Sequence, residues 1–314
     1  MNNNPNISQE KRQSGHCAGF TLVELLVSML VGLLVLGSAA MTYIGQQKTS
    51  TVQRDLARMQ QNLRAAMYMI KNDLRNCGRD GQMSGTVGVQ TITHQATVQP
   101  DNGDPSLYPT LTLSTMQDAD GDGKADSAAI QTIAYQLRDL NADGRYELRR
   151  QVNAGNWELV VDGIDDISFA FAYDADNDGD LDRFNGLPNS NVIWAVDSNA
   201  DNRLDTNIDN ISDGIVDLND DTNGDNVIDA TDGNLGTTVG PNDIRAVRIW
   251  LLARSRVRDT RFSNDGPFVV GDHVFRPTIV GTVERPALAD ANYDQFRRVL
   301  LEGGVALSNI ERIP

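Results

Sequence analysis

Six stretches of this 314-residue chain set oxygen-bearing side chains at alternate positions around a glycine or an asparagine. Asp118, Asp120, Asp122 and Asp126 follow the form DxDxDGxxD about Gly123, and Asp174, Asp176, Asp178 and Asp182 repeat it about Gly179. Asp139, Asn141, Asp143 and Glu147 keep the plan about Gly144 with Asn and Glu substituted. Two further copies, Asp197, Asn199, Asp201, Asp205 and Asp221, Asn223, Asp225, Asp229, place Asn202 and Asn226 where the others have glycine. A degenerate sixth run, Asp209 to Asp217, retains Asp213, Gly214 and Asp217 but has Ile211 where an oxygen ligand belongs. This is the spacing a hard cation needs. Calcium takes about six to eight oxygens, and side chains at positions 1, 3, 5 and 9 with the carbonyl of position 7 can surround one ion, whereas magnesium demands a tighter octahedron. Position 6 must turn the chain with positive φ, which Gly does freely and Asn tolerates. Position 8 is apolar in the five good copies: Ala125, Tyr146, Leu181, Leu204 and Ile228. A solvated acidic coil, the competing reading of such composition, requires neither feature.

The twelfth position, where a second carboxylate can close a calcium loop, is Ala129, Arg150, Asn185 and Ile208 in the first four copies, and only the fifth offers one, Asp232. Crowded carboxylates repel, so residues 197–233 are expected to order poorly without divalent cation, and Ca2+ is expected to act as a folding ligand at several sites. Catalysis finds little support, since the Asp and Glu pairs are better accounted for by cation binding or surface than as an acid–base pair. His16, His94 and His273 are scattered, no HExxH, GxSxG or phosphate-cradling glycine loop is present, and Trp157, Trp194 and Trp250 sit in strand-like runs that read as core. The formal net charge of −16 argues against nucleic acid as a partner.

A second chemical anomaly lies near the N-terminus. From Thr21 to Tyr43 the only formal charge is Glu24, in a run whose ~33 Å of helix is long enough to cross a bilayer. A lone carboxylate there costs on the order of a few kcal/mol unless paired, so it marks a function and a partner. Lys11 and Arg12 precede the run and Asp-rich sequence lies beyond it, which orients the N-terminus toward the cytoplasm.

Gly19 followed by Phe20, with Glu24 fifth from Phe20 and an apolar run behind it, resembles the class III signal of type IV prepilins and type II secretion pseudopilins. The resemblance implies cleavage between Gly19 and Phe20 by prepilin peptidase, N-methylation of Phe20, and a pairing of Glu24 with a neighbouring subunit's N-terminal amine. The runs 243–255 and 296–309 resemble strands of PilW-type minor pilins, which are similar to the J-type minor pseudopilin. The Asp-rich copies resemble thrombospondin type 3 calcium loops, and the fifth an EF-hand-like dockerin loop. Together these resemblances imply a non-enzymatic minor pilin of the inner membrane. It would pass the membrane once, with a periplasmic head, and move later to the pilus and cell surface. Its partners would be other minor and major pilins and the inner-membrane assembly platform. A minor pseudopilin of a type II secretion system, or a calcium-dependent surface adhesin anchored by a pilin helix, are the alternatives.

These features require particular elements to position them. Residues 1–19 form a leader that takes Cys17 with it and leaves Cys77 alone; residues 20–43 form the transmembrane helix and residues 44–77 its amphipathic continuation. The continuation carries Val52, Leu56, Met59, Leu63, Ala66, Met67, Ile70 and Leu74 on one stripe, in steps of three and four. Gly78 and Gly81 supply its stop. Residues 78–314 form a β-rich head, with Asp-rich regions at 118–147 and 174–233. Its strands are expected at 86–93, 110–115, 128–137, 146–152, 157–161, 167–173, 192–196, 244–253, 268–275 and within 297–307. Helix first and antiparallel sheet afterwards predicts an α+β, type IV pilin-like fold. Alternation in Ile167, Phe169, Phe171 and Tyr173 predicts a strand packed on one face.

Overall fold

The computed structural model describes residues 20–77, 88–92, 110–117, 126–138, 145–264, 266–277 and 293–307. Gly19, the first Asp-rich copy up to residue 125, residues 139–144 of the second and the glycines at 78 and 81 lie outside them. The chain divides into two compact units, one up to Gln53 and one from Arg54 onward.

Helix α1 spans Leu22–Asn76. In the first unit its large apolar side chains, from Leu22 to Ile44, are all more than half exposed, and this helix alone among the described residues is long and apolar enough to cross a membrane. Its start is defined by a reciprocal pair of hydrogen bonds. The Glu24 N–H donates to Thr21 Oγ1 at 3.3 Å, and Glu24 Oε2 accepts from the Thr21 N–H at 3.0 Å. Thr-x-x-Glu is thus a capping box that satisfies two of the helix's free N–H groups.

In the second unit α1 buries the face that the stripe predicts: Met59, Leu63, Ala66, Met67, Ile70 and Leu74 are all buried. The helix is fixed to the sheet at its end. Asp73 accepts a hydrogen bond from Tyr135 and holds Arg150 at 2.8 Å, while Thr115 donates to the Asn76 carbonyl at 2.7 Å. Cys77 is completely buried beyond the last turn.

Thirteen strands are described, and each pairing between them is antiparallel. β1 (Gly88–Thr91), β2 (Thr110–Gln117), β3 (Asp126–Arg138), β4 (Glu147–Val152) and β5 (Glu158–Asp162) form a meander in chain order. The second sheet contains β6 (Ile164–Tyr173), β7 (Ala195–Val196), β8 (Leu204–Asn207), β9 (Asn234–Val239), β10 (Ile244–Arg254) and β13 (Arg298–Ala306), in the order β13-β10-β6-β7-β8-β9. β11 (Phe268–Val270) and β12 (His273–Phe275) form a separate hairpin. One core joins the buried face of α1 to both sheets through Leu111, Leu113, Tyr135, Ile167, Phe169, Phe171, Val247, Ile249 and Leu251.

Four expectations need correction. Residues 268–275 are two strands, because Gly271 turns the chain at φ +64 with Ser168 Oγ only 2.1 Å from where a Cβ would sit. Residues 192–196 pair as strand only at Ala195–Val196, where the partner β8 reaches them. β8 and β9 were not expected. β6 is buried on both faces: Ile167, Phe169 and Phe171 enter the main core, while Ala170 joins a second cluster with Ile228, Trp250, Leu252, Val270 and Phe275 under the hairpin.

The second cluster is bordered by buried charge. His273 Nε2 lies 2.6 Å from Asp166 Oδ2, and its Nδ1 lies 3.1 Å from Asp272 Oδ1, which also accepts from Ser168 Oγ at 3.2 Å. Burial alone favours neutral imidazole, but the two carboxylates outweigh it and hold His273 well above its usual range. Nearby, Asp165 is fully buried between Arg298 at 2.7 Å and Arg254 at 3.3 Å.

Candidate functional site

The four Asp-rich segments within 174–232 share one backbone plan. Position 1 uses both oxygens: Asp174, Asp197 and Asp209 each accept from the N–H of position 5 through Oδ1, at 3.1–3.2 Å, and from that of position 6 through Oδ2, at 2.7–3.2 Å. Asp221 differs only in that its Oδ1 takes the Gly224 N–H, at 2.7 Å. Position 5 accepts from position 7 in every copy, through Asp178, Asp201, Asp213 and Asp225 at 2.8–2.9 Å. Where position 3 has an oxygen, in Asp176, Asn199 and Asn223, it accepts from the N–H of position 5.

Turning so many N–H groups inward within six residues forces two left-handed residues per loop. Position 6 has positive φ in Gly179, Asn202, Gly214 and Asn226, as the sequence requires, and so does position 4, in Asn177, Ala200, Ser212 and Gly224. Where position 6 is Asn, its amide also holds the loop to the head. Asn202 Oδ1 accepts from Ile92 N at 3.0 Å beside β1, and Asn226 Oδ1 accepts from Arg276 at 2.9 Å just past β12. Position 8 anchors from beneath: Leu204 is buried in the main core and Ile228 in the second cluster.

The loops close in two ways. In 174–182 and 197–205 the carboxylate of position 9 accepts from the N–H of position 2, at 2.9 Å for Asp182 and 3.0 Å for Asp205. In 209–220 and 221–232 closure falls to position 12. Asp220 accepts from Ile211 N and Asp217 N, and Asp232 likewise from Asn223 N and Asp229 N. The degenerate run is therefore folded like its neighbour and carries a closing carboxylate, Asp220, which sequence reading missed by stopping at position 9. Asp229 also caps the single turn α2 (Ala230–Gly233) through the Thr231 N–H.

Carboxylate oxygens of Asp174, Asp176 and Asp178 lie within 4.8 Å of one another, close enough to hold one ion. Asp197/Asn199/Asp201 and Asp221/Asn223/Asp225 are gathered by the same bonds. Glu147 is committed elsewhere, in an ion pair with Arg149 at 2.5 Å on β4, and Asp126 lies at the start of β3 without the rest of its loop described. Burial pushes the Asp197, Asp209 and Asp220 carboxyls above the usual carboxylate range, and neighbouring carboxylates add to the rise. Residues 174–232 hold sixteen Asp against two Arg, a net of −14 out of the chain's −16, so a divalent cation in each loop would relieve much of the repulsion.

At the other end of the chain, Phe20 and Glu24 are exposed at the head of α1. Residues 14–40 match the prokaryotic N-terminal methylation motif, which places this segment with type IV pilin-like proteins. The apolar helix and the motif fit membrane anchoring and processing by prepilin peptidase. Among solved structures, a type IV-like pilin from Thermus thermophilus is similar over 81% of this chain and 99% of its own, at 12% identity and a TM-score of 0.36. Comparison with curated proteins finds no match.

Proposed function

We propose that this protein is a minor pilin that takes part in type IV pilus assembly, in the priming or tip complex, and whose head is stabilised by calcium. Prepilin peptidase cuts between Gly19 and Phe20, and the apolar part of α1 holds the subunit in the inner membrane with its N-terminus cytoplasmic and its head periplasmic. The helix then passes into a filament beside those of other minor and major pilins, where Glu24 meets a neighbouring amine. The observation that carries this reading is the methylation motif on a helix whose large apolar side chains from Leu22 to Ile44 are exposed and whose one charged residue in that stretch is the capped Glu24. Support for calcium comes from the common backbone plan of the four loops and the convergence of Asp174, Asp176 and Asp178. Asp118, Asp120, Asp122, Asp126, Asp139, Asn141 and Asp143 are proposed ligands by their sequence pattern alone.

Two experiments test the assembly role. Coexpression with a prepilin peptidase, followed by mass spectrometry, is expected to give a chain beginning with N-methylated Phe20; an uncut chain, or one cut on the far side of the apolar run, overturns the processing step. Deletion of the gene is expected to reduce surface pili. Intact piliation with loss of protein secretion would favour a pseudopilin instead, and intact piliation with loss of surface attachment would favour an adhesin.

A further inference from the structure

Outside the Asp-rich loops the second unit carries a cleft of opposite character. It has a volume of about 180 Å³ and lies between α1, the β4–β5 side of the meander and the end of β10. Met59 and Leu63 are buried in its floor. Four of its lining residues are arginines and two are aspartates, in a chain whose net charge is −16. Two of the arginines are already committed: Arg145 holds Asp162 at 3.2 Å, and Arg254 holds buried Asp165 at 3.3 Å. Arg58 on α1 and Arg256 just beyond β10 are exposed and have no hydrogen-bond or ion-pair partner among the described residues. Asp55 and Asn62, one turn either side of Arg58 on the helix, line the same cleft and are also unpartnered among the described residues.

We infer that this cleft binds a carboxylate side chain presented by an acidic peptide segment of another protein subunit. A guanidinium matches a carboxylate through paired N–H donors, and Arg58 from α1 and Arg256 from just beyond β10 each bring one to this cleft. The other groups select the ligand. Asp55 and Asp162 disfavour a dianionic phosphate, whereas a peptide brings backbone N–H groups for Asp55 to accept and amide groups for Asn62 to pair with. None of these residues belongs to the cation loops, so the site operates whether or not those loops are filled.

The test uses the full chain in non-ionic detergent, labelled with 15N-arginine, titrated with the blocked tripeptide acetyl-Gly-Asp-Gly-amide. Saturable shifts of the Arg58 and Arg256 side-chain signals are expected at millimolar peptide. Arg58→Gln or Arg256→Gln should weaken binding about tenfold, the scale of one charge-assisted hydrogen bond, while Arg64→Gln, an exposed arginine outside the cleft, should leave it unchanged. Arg58 and Arg256 lack native partners among the described residues, so their loss should not unfold the chain. Equal shifts with the Asn tripeptide, no saturation, or tighter saturation by inorganic phosphate would each overturn the inference.

Discussion

Chelation of divalent cation should lower the thermal midpoint of this protein by an amount the loops themselves set. Three described loops, 174–182, 197–205 and 221–232, have oxygen side chains at positions 1, 3, 5 and 9, and 209–220 lacks the one at position 3. A ligand at ten times its dissociation constant stabilises by RT ln 11, about 1.4 kcal/mol per site, so three sites contribute about 4 kcal/mol. For a domain of this size each kcal/mol moves the midpoint about 2–4 °C, which gives a fall of about 8–16 °C on adding chelator. The assay is far-UV circular dichroism melting of the full chain in detergent, with calcium, with chelator, and with chelator plus high sodium chloride. Loops anchored by Asn202 and Asn226 near β1 and β12 should carry the melting of the head with them. A midpoint unchanged within about 2 °C refutes the reasoning. So does full recovery in sodium chloride, because screening alone would then account for the effect.

Asp165→Asn leaves Arg254 and Arg298 buried without their shared counter-charge and should destabilise the head by about 3–5 kcal/mol in equilibrium denaturation; a loss below about 1 kcal/mol contradicts that role. His273 is held protonated by Asp166 and Asp272, so its stabilisation is complete below the unfolded value near ~6.5 and disappears as pH rises through the raised folded value. Unfolding midpoints should therefore fall toward alkaline pH, and His273→Gln should flatten that slope; an identical slope in the variant sinks the assignment. Burial pushes the Cys77 thiol up to about 12, so alkylating reagent followed by mass spectrometry should label it only after denaturation, and non-reducing electrophoresis should show no disulfide-linked dimer of mature chains.

Local chemistry decided how much of the fold the sequence made legible. The buried stripe of α1 could be read because one helix face meets one core, and the β-branched runs of the meander because each strand pairs with its neighbour in chain order. β8 escaped because Leu204, Asp205, Thr206 and Asn207 serve at once as loop and strand, with only Leu204 apolar. The second buried face of β6 was hidden because Asp166 and Ser168 resemble solvent-facing residues; they are covered by the Asp272–His273 turn, more than a hundred residues downstream. In the candidate loops the position-6 turn was readable from Gly and Asn. The turn at position 4 was not, since Asn177, Ala200, Ser212 and Gly224 share no chemistry and adopt positive φ only because the inward N–H groups impose it. Asp220 was within reach of sequence alone, had the degenerate run been traced to its twelfth residue.

If Glu24 meets a neighbouring amine as proposed, the capping box bears on the kinetics of that step. Both Thr21 bonds to the Glu24 carboxylate, from the N–H at 3.0 Å and the hydroxyl at 2.9 Å, fall on the same oxygen, Oε2. One oxygen of the carboxylate is thereby held, while Oε1 has no hydrogen-bond partner among the described residues. A free glutamate surrenders up to about 2 kcal/mol of rotamer entropy when it is first fixed; here most of that loss is incurred as the helix forms. An amine arriving at Oε1 would encounter an acceptor already oriented, and docking would need a search by the incoming group alone.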